Sequence, residues 1–269
     1  MSHQDIGLVL SGGGTATAYA IGALHAAYVE HGISTPRCMI MISGGASIGC
    51  FGLARRFKEM YQWPIRFADR RCVSRFRFWR MWDIDFTVDN IMLAQVPALG
   101  REVATSPTRI SIAATEMPSG VVRWFTNKDL AEIRNILKAS KAIPGVYGKE
   151  VAIEGKTYID GSFGVTLREC VEKAFAEGAK KVIVIDVQES RVSALTALSL
   201  RLLSARQGRH VRASVERFIA RGDDSIEASS NVVVCRPRSL QLRSAIDTDP
   251  VRTLQTIEQG YAEMAALKI

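Results

Sequence analysis

The residues best suited to chemistry stand at Gly45-Ala46-Ser47-Ile48-Gly49. The apolar run Cys38-Met39-Ile40-Met41-Ile42 precedes them and reads as a buried strand, and residues 48–54 read as the start of a helix. A G-x-S-x-G between strand and helix is the pattern of a nucleophile elbow. Its glycines remove clashes in a tight turn, and its serine oxygen projects above the sheet edge beside a helix N-terminus. The same five residues also fit a glycine-rich turn whose serine only caps the helix. Two other places bear on that choice. Ser11-Gly12-Gly13-Gly14 joins the apolar strand at 6–10 to a helix expected over 16–31, and its backbone N–H groups can form a concave row for an oxyanion or a phosphate. Asp160, followed by Gly161, ends the strand Thr157-Tyr158-Ile159, where a carboxylate can face a neighbouring loop or simply make a turn.

The glycine triplet admits two chemistries. Gly12 and Gly14 fit the first half of a dinucleotide fingerprint, but Thr17 stands where the third glycine belongs, and the strand ending at Ile42 lacks an acidic residue for a ribose. An oxyanion hole for acyl transfer is the better match, because the candidate serine follows the very next strand and parallel neighbours would bring the two loops together.

The elements that must hold these residues alternate. Strands are expected at 6–10, 38–42, 109–116, 121–126, 157–159, 182–187 and 232–235. Helices are expected at 16–31, 48–60, 129–140, 167–177 and 195–220, with a last one from Asp249-Pro250 to the C-terminus. Pro97 interrupts a helical pattern over 88–103, and Pro118-Ser119-Gly120 turns one strand back as a hairpin. The continuous apolar run at 182–187 has the character of a central parallel strand. The reading is an α/β layered fold with a mostly parallel sheet, as one domain over 1–269.

Composition narrows the setting. With 269 residues, 47% of them hydrophobic, the chain can bury one substantial core. Met1-Ser2-His3-Gln4-Asp5 leads straight into a strand without the marks of a signal peptide, and no apolar run approaches a membrane span. The cysteines Cys38, Cys50, Cys72, Cys170 and Cys235 are scattered, odd in number and without C-x-x-C spacing, which suits reduced thiols in the cytoplasm and no metal site. A formal charge of +8 suits an anionic partner, and without a nucleic-acid motif a lipid surface fits better than nucleic acid. The excess concentrates in a cap-like region at about 55–82, where arginines alternate with Phe57, Tyr61, Trp63, Phe67, Phe76, Phe78 and Trp79. That mixture suits an anionic bilayer, a nucleic acid, or a solvated cap with its aromatics in the core. The helical stretch 195–220 is basic outside its apolar stripe and offers a second lipid contact or a plain solvated face.

Taken in order, Gly12-Gly13-Gly14, Gly45-Ala46-Ser47-Ile48-Gly49, Ala139-Ser140-Lys141-Ala142-Ile143-Pro144 and Asp160-Gly161 make the sequence resemble the patatin-like phospholipase family, from Ile6 to about Val187, with a looser match at Gly260-Tyr261. The resemblance implies a three-layer α/β/α sandwich with a mostly parallel central sheet. It implies a Ser–Asp dyad acyl hydrolase with Ser47 as nucleophile, Asp160 as base and Gly12, Gly13 and Gly14 as the oxyanion loop. It further implies action on acyl esters of phospholipids, lysophospholipids or neutral lipids without metal or cofactor; the basic, aromatic region adds the expectation of a peripheral place at an anionic membrane. The histidines fit independently: His3, His25, His31 and His210 lie at the terminus or in expected helices, and a dyad needs none of them. Two departures matter, the milder being Ser162 after Asp160-Gly161, where the family has glycine or alanine. Ala16 and Thr17 occupy the places where the family usually carries Arg or Lys and then glycine, so a cation near the oxyanion is lost. The alternative is therefore a catalytically weak lipid-binding or regulatory module on the same fold. The sequence leaves the oligomeric state open.

Overall fold

The apolar runs become the strands of a single eight-stranded sheet in a computed structural model that describes residues 5–69, 71–74, 77, 80–188, 192–221, 224–242 and 246–269. The strands are β1 (Ile6–Leu10), β2 (Cys38–Ile42), β3 (Arg109–Met117), β4 (Val122–Phe125), β5 (Val151–Ile153), β6 (Lys156–Asp160), β7 (Lys181–Ile185) and β8 (Val232–Cys235). β3, β2, β1, β7 and β8 lie side by side and parallel, whereas β4 and β6 run antiparallel to β3, and β5 antiparallel to β6. The helices are α1 (Ala18–Val29), α2 (Gly44–Leu53), α3 (Phe57–Met60), α4 (Trp63–Phe67), α5 (Ile84–Phe86), α6 (Leu99–Ala104), α7 (Ile133–Ala139), α8 (Leu167–Ala176), α9 (Ala194–Ser204), α10 (Arg209–Ala220) and α11 (Pro250–Ala265).

Strand side chains alternate between the two faces, and both faces are covered. Leu8, Leu10, Met39, Met41, Ile183 and Ile185 share one core with Tyr19, Leu24, Phe51 and Ile257 from α1, α2 and α11. Val9, Ile40, Ile42, Val182 and Val184 share the other with Leu167, Cys170 and Ala174 of α8. This is the expected three-layer α/β/α sandwich with a mostly parallel centre.

Register along β3 decides where the functional loops meet. Ile112 and Ala113 pair with both β2 and β4, so those two strands occupy opposite edges of β3. Ala114 and Thr115 pair with both β4 and β6, so β6 lies on the same edge as β2. Ile42, the last residue of β2, pairs with Ala113; Asp160, the last residue of β6, pairs with Ala114. The C-terminal ends of β2 and β6 therefore converge head to head beside β3.

Several boundaries differ from the sequence reading. α2 starts at Gly44 rather than Ile48 and stops at Leu53, where Arg55, at φ 60°, turns the chain before α3. The helix expected over 195–220 is two, with Gly208 capping the second. The helical pattern around Pro97 divides into a π-helical segment, Thr87–Leu93, and α6. In the basic, aromatic region the described aromatics turn inward: Trp63 packs edge-on against Phe51 at 4.8 Å, Phe57 stacks on His25 at 4.5 Å, and Tyr61 Oη bonds His25 Nδ1 at 3.0 Å. Its arginines find local carboxylates, Arg56 with Glu102, Arg71 with Asp69, and Arg80 with Asp83 and Asp85. Residues 1–4, His3 among them, and Arg70, Arg75, Phe76, Phe78 and Trp79 lie outside the described residues. No described helix is long and apolar enough to cross a membrane.

Candidate active site

Ser43, the residue immediately after β2, forms the strand-to-helix turn. Its φ of 52° and ψ of −126° put a non-glycine residue in strained backbone, as at a nucleophile elbow. The surroundings fix that geometry. Ser43 N–H donates to Ser140 Oγ at 3.0 Å, and Ser43 C=O accepts from Ala46 N–H at 3.1 Å. A Cβ on Gly45 would lie 2.6 Å from Leu10 O, so only glycine lets the helix pass so close to the end of β1. A Cβ on Gly12 would lie 2.8 Å from Ser43 Cβ, so the triplet leaves the serine uncovered on that side.

The expected placement of Ser47 at the turn is corrected by this geometry. Ser47 sits one helical turn into α2, fully buried, and its Oγ donates to Met92 Sδ at 3.3 Å in the π-helical segment. It makes no hydrogen bond to Asp160. The complete G-x-S-x-G at 45–49 overlaps a second pattern, Met41-Ile42-Ser43-Gly44-Gly45, which keeps S-x-G but has Met41 at the first glycine. The signal that separates them is distance from the strand: β2 ends at Ile42, so only the next residue can occupy the turn.

Asp160 is fully buried at the end of β6. Its Oδ1 accepts from Ser162 N–H at 2.9 Å and Ser162 Oγ at 2.8 Å, while Oδ2 has no hydrogen-bond partner. The Ser43 hydroxyl lies beside the carboxylate and favours its charged form without closing a direct bond to Oδ2. Catalytic hydrogen bonds are often open in unliganded sites. Burial dominates and raises the Asp160 carboxyl to about 6; the bonds from Ser162 and Ser43 and the charge of Lys141 offset part of that rise. A carboxylate of this kind is a far better base near neutrality than one in water.

The loop of Gly12, Gly13 and Gly14 lies where the sequence placed it, between β1 and α1. Ser11 anchors it: its N–H donates to Ile185 O, and its Oγ accepts from Val187 N–H at 2.8 Å. Neither Gly13 nor Gly14 spends its N–H on a hydrogen bond among the described residues. One lysine borders the same cavity as Ser43. Lys141, buried beneath the turn, donates to Leu137 O at 3.2 Å, and desolvation lowers its ammonium to about 8. The described histidines are engaged elsewhere, His25 with Tyr61, His31 with Met264 O and His210 with Glu150. No group of three or more His, Cys, Asp or Glu among the described residues could hold a metal ion.

Ser43 stands between two spaces. One is an open cleft of about 420 Å³, bordered by Gly12, Gly13, Val187, Leu200, Arg221 and Asp224. The other is a narrow apolar cavity of about 50 Å³, bordered by Ile21, Ile48, Trp63, Phe67, Met92 and Lys141. Gly14, Ser43, Trp82 and Ile143 border both.

The model of the patatin-like phospholipases matches residues 8–168, more than half of the sequence. The chain belongs to the patatin-like phospholipase family. The match takes in the glycine triplet, the β2–α2 turn and the β6 aspartate. Among solved structures, VipD from Legionella pneumophila superposes with a TM-score of 0.57 at 12% identity, over 97% of this chain and 66% of VipD. This chain thus spans 66% of VipD's length, and likeness at that identity speaks for the shared fold alone. No curated protein sequence matches the chain.

Proposed function

We propose that this protein is a serine acyl hydrolase of lipid esters in which Ser43 is the nucleophile and Asp160 the base. The observation that carries the reading is the convergence of β2 and β6, which brings a strained serine turn on the border of the cleft against a buried carboxylate whose Oδ2 is unoccupied. Ser43 Oγ attacks the ester carbonyl as Asp160 Oδ2 takes its proton. The N–H groups of Gly13 and Gly14, with that of Gly44 at the start of α2, receive the developing oxyanion. Asp160 returns the proton to the leaving alcohol, and water, deprotonated by Asp160, then releases the acyl group from Ser43. Lys141 supplies positive potential beneath the turn, in place of the cation missing at Ala16.

The two spaces divide the substrate. The apolar cavity fits acyl carbons, and the cleft, with Arg221 and Asp224 on its border, fits the alcohol side of a phospholipid, lysophospholipid or neutral glyceride. The five unpaired, buried thiols accord with a cytoplasmic setting, and lipid substrates with an anionic membrane surface. Ala16 and Thr17 favour the second reading, a lipid-binding module with little turnover. Hydrolysis of short-chain nitrophenyl esters and of phospholipid vesicles by wild type and by Ser43→Ala separates the two. Turnover that disappears in Ser43→Ala supports the enzyme; vesicle binding with no turnover in either protein supports the module.

A further inference from the structure

The α9 helix has two unlike faces. Ala197, Leu200 and Ser204 are buried, and Thr196 and Leu200 border the Ser43 cleft. On the opposite side Leu195, Leu198 and Leu202 are 75%, 53% and 67% exposed. At about 100° per residue these three leucines fall within an arc of roughly 60°, directly opposite the buried stripe. The remaining exposed large apolar side chains among the described residues, Val29, Ile65, Val121 and Val251, come from four different segments.

The charges in and just after this stretch of chain are of one sign. No Asp or Glu occurs from residue 192 to residue 215, whereas Arg201, Arg206, Arg209 and Arg212 do. Arg201 is held by Glu216 at 2.7 Å. Arg206 lies one turn beyond Leu202, and Arg206, Arg209 and Arg212 are exposed and make no ion pair among the described residues. An exposed leucine stripe with unpaired arginines in the turn and helix that follow it is the make-up of a segment lying in the plane of a lipid–water interface.

We propose that the outer face of α9 docks on an anionic phospholipid bilayer, with the leucines among the acyl chains and the arginines at the headgroups, so that the cleft bordered by the inner face of the same helix is held close to the lipid surface. The choice of a bilayer over a second copy of this chain follows from charge, since a self-complementary contact would press like-charged arginines together. The need for the cleft to face lipid rests on the acyl-hydrolase reading; the docking face itself does not.

The test is sedimentation with phosphatidylcholine vesicles, with and without about one third phosphatidylserine, using wild type, a Leu195→Ser/Leu198→Ser/Leu202→Ser variant and an Arg206→Glu/Arg209→Glu variant. Wild type should bind the anionic vesicles at least about tenfold more tightly than neutral ones, and less tightly as salt rises. Both variants should lose about tenfold or more in anionic-vesicle binding and in hydrolysis of vesicle lipid, while turnover of a water-soluble nitrophenyl ester is unchanged. Equal vesicle binding by all three proteins overturns the proposal. So does a wild-type dimer that the leucine variant converts to monomer without any change in vesicle binding. Ser43→Ala should bind vesicles as wild type does. If no protein turns over any ester yet the variants still lose vesicle binding, the hydrolase reading fails and the docking face stands.

Discussion

Two overlapping stretches at the start of α2 carry the same ingredients in different geometry. In residues 42–45 a serine at positive φ, with glycines at Gly44 and Gly45, joins a strand to a helix beside a buried aspartate. In residues 45–49 a serine between glycines is ordinary helix, its hydroxyl turned onto a methionine sulfur in the core. The difference teaches that an elbow is defined by where the strand stops. Backbone strain and an unsatisfied carboxylate oxygen mark the serine proposed as nucleophile, and the pentapeptide pattern alone does not.

Substitution of the two serines breaks the comparison most directly. Ser43→Ala should lower kcat/KM on a soluble ester by about 10⁴-fold or more, whereas Ser47→Ala should stay within about threefold and cost only about 1 kcal/mol of stability. Steady-state kinetics beside a thermal melt reads both. Asp160→Asn should lower kcat/KM by about 10³–10⁴-fold yet raise the melting temperature at pH 8. The sign follows from burial. The folded-state proton affinity of Asp160 is raised to about 6, so above that pH the native protein carries a buried charge that the unfolded chain hydrates freely. The stabilisation by asparagine should shrink as pH falls from about 6 toward 4, and melts across that range check it.

Crowding the turn sharpens the comparison further. Gly12→Ala places a methyl group 2.8 Å from Ser43 Cβ and should cost about 10- to 100-fold in kcat/KM, with little change in stability of the sheet below. The smallest effect expected is on pH dependence. Ser162→Ala removes the 2.8 Å bond to Asp160 Oδ1, and Lys141→Met removes a positive charge near the carboxylate. Each should move the acid limb of kcat/KM from about pH 6 to higher pH; Ser162→Ala should leave activity at pH 8 hardly changed, whereas Lys141→Met, which also removes the positive potential beneath the turn, should lower it severalfold there as well.

Much of the fold was legible because apolar runs bounded by glycine leave few choices. β1, β2 and β8 match their expected bounds, and the hairpin of β3 and β4 follows from Pro118-Ser119-Gly120. Asp160 and the Gly12–Gly14 loop were legible for the same reason, since each follows a strand directly. Helix ends were less so. The break at Gly208 and the π-helical segment before α6 depend on tertiary packing that periodicity does not register. The strand-to-helix turn was expected at Ser47 and lies at Ser43, because Met41 spoils the first glycine of that pattern while an intact copy begins at Gly45. The pairing that makes Ser43 and Asp160 neighbours, two strands ending head to head on one edge of β3, has no local trace in the chain. The inward turn of Trp63, Phe57 and Tyr61 was equally hidden, because a run of arginines and aromatic rings reads alike for a lipid-facing surface and for a covered one.

The central claim is tested most directly by mapping a fluorophosphonate adduct to a single residue by peptide mass spectrometry at pH 8. The account expects the phosphonyl group on Ser43 Oγ, labelling that persists in Ser47→Ala, and none in Ser43→Ala. An adduct on Ser47, or labelling of Ser43→Ala at the wild-type rate, would contradict it.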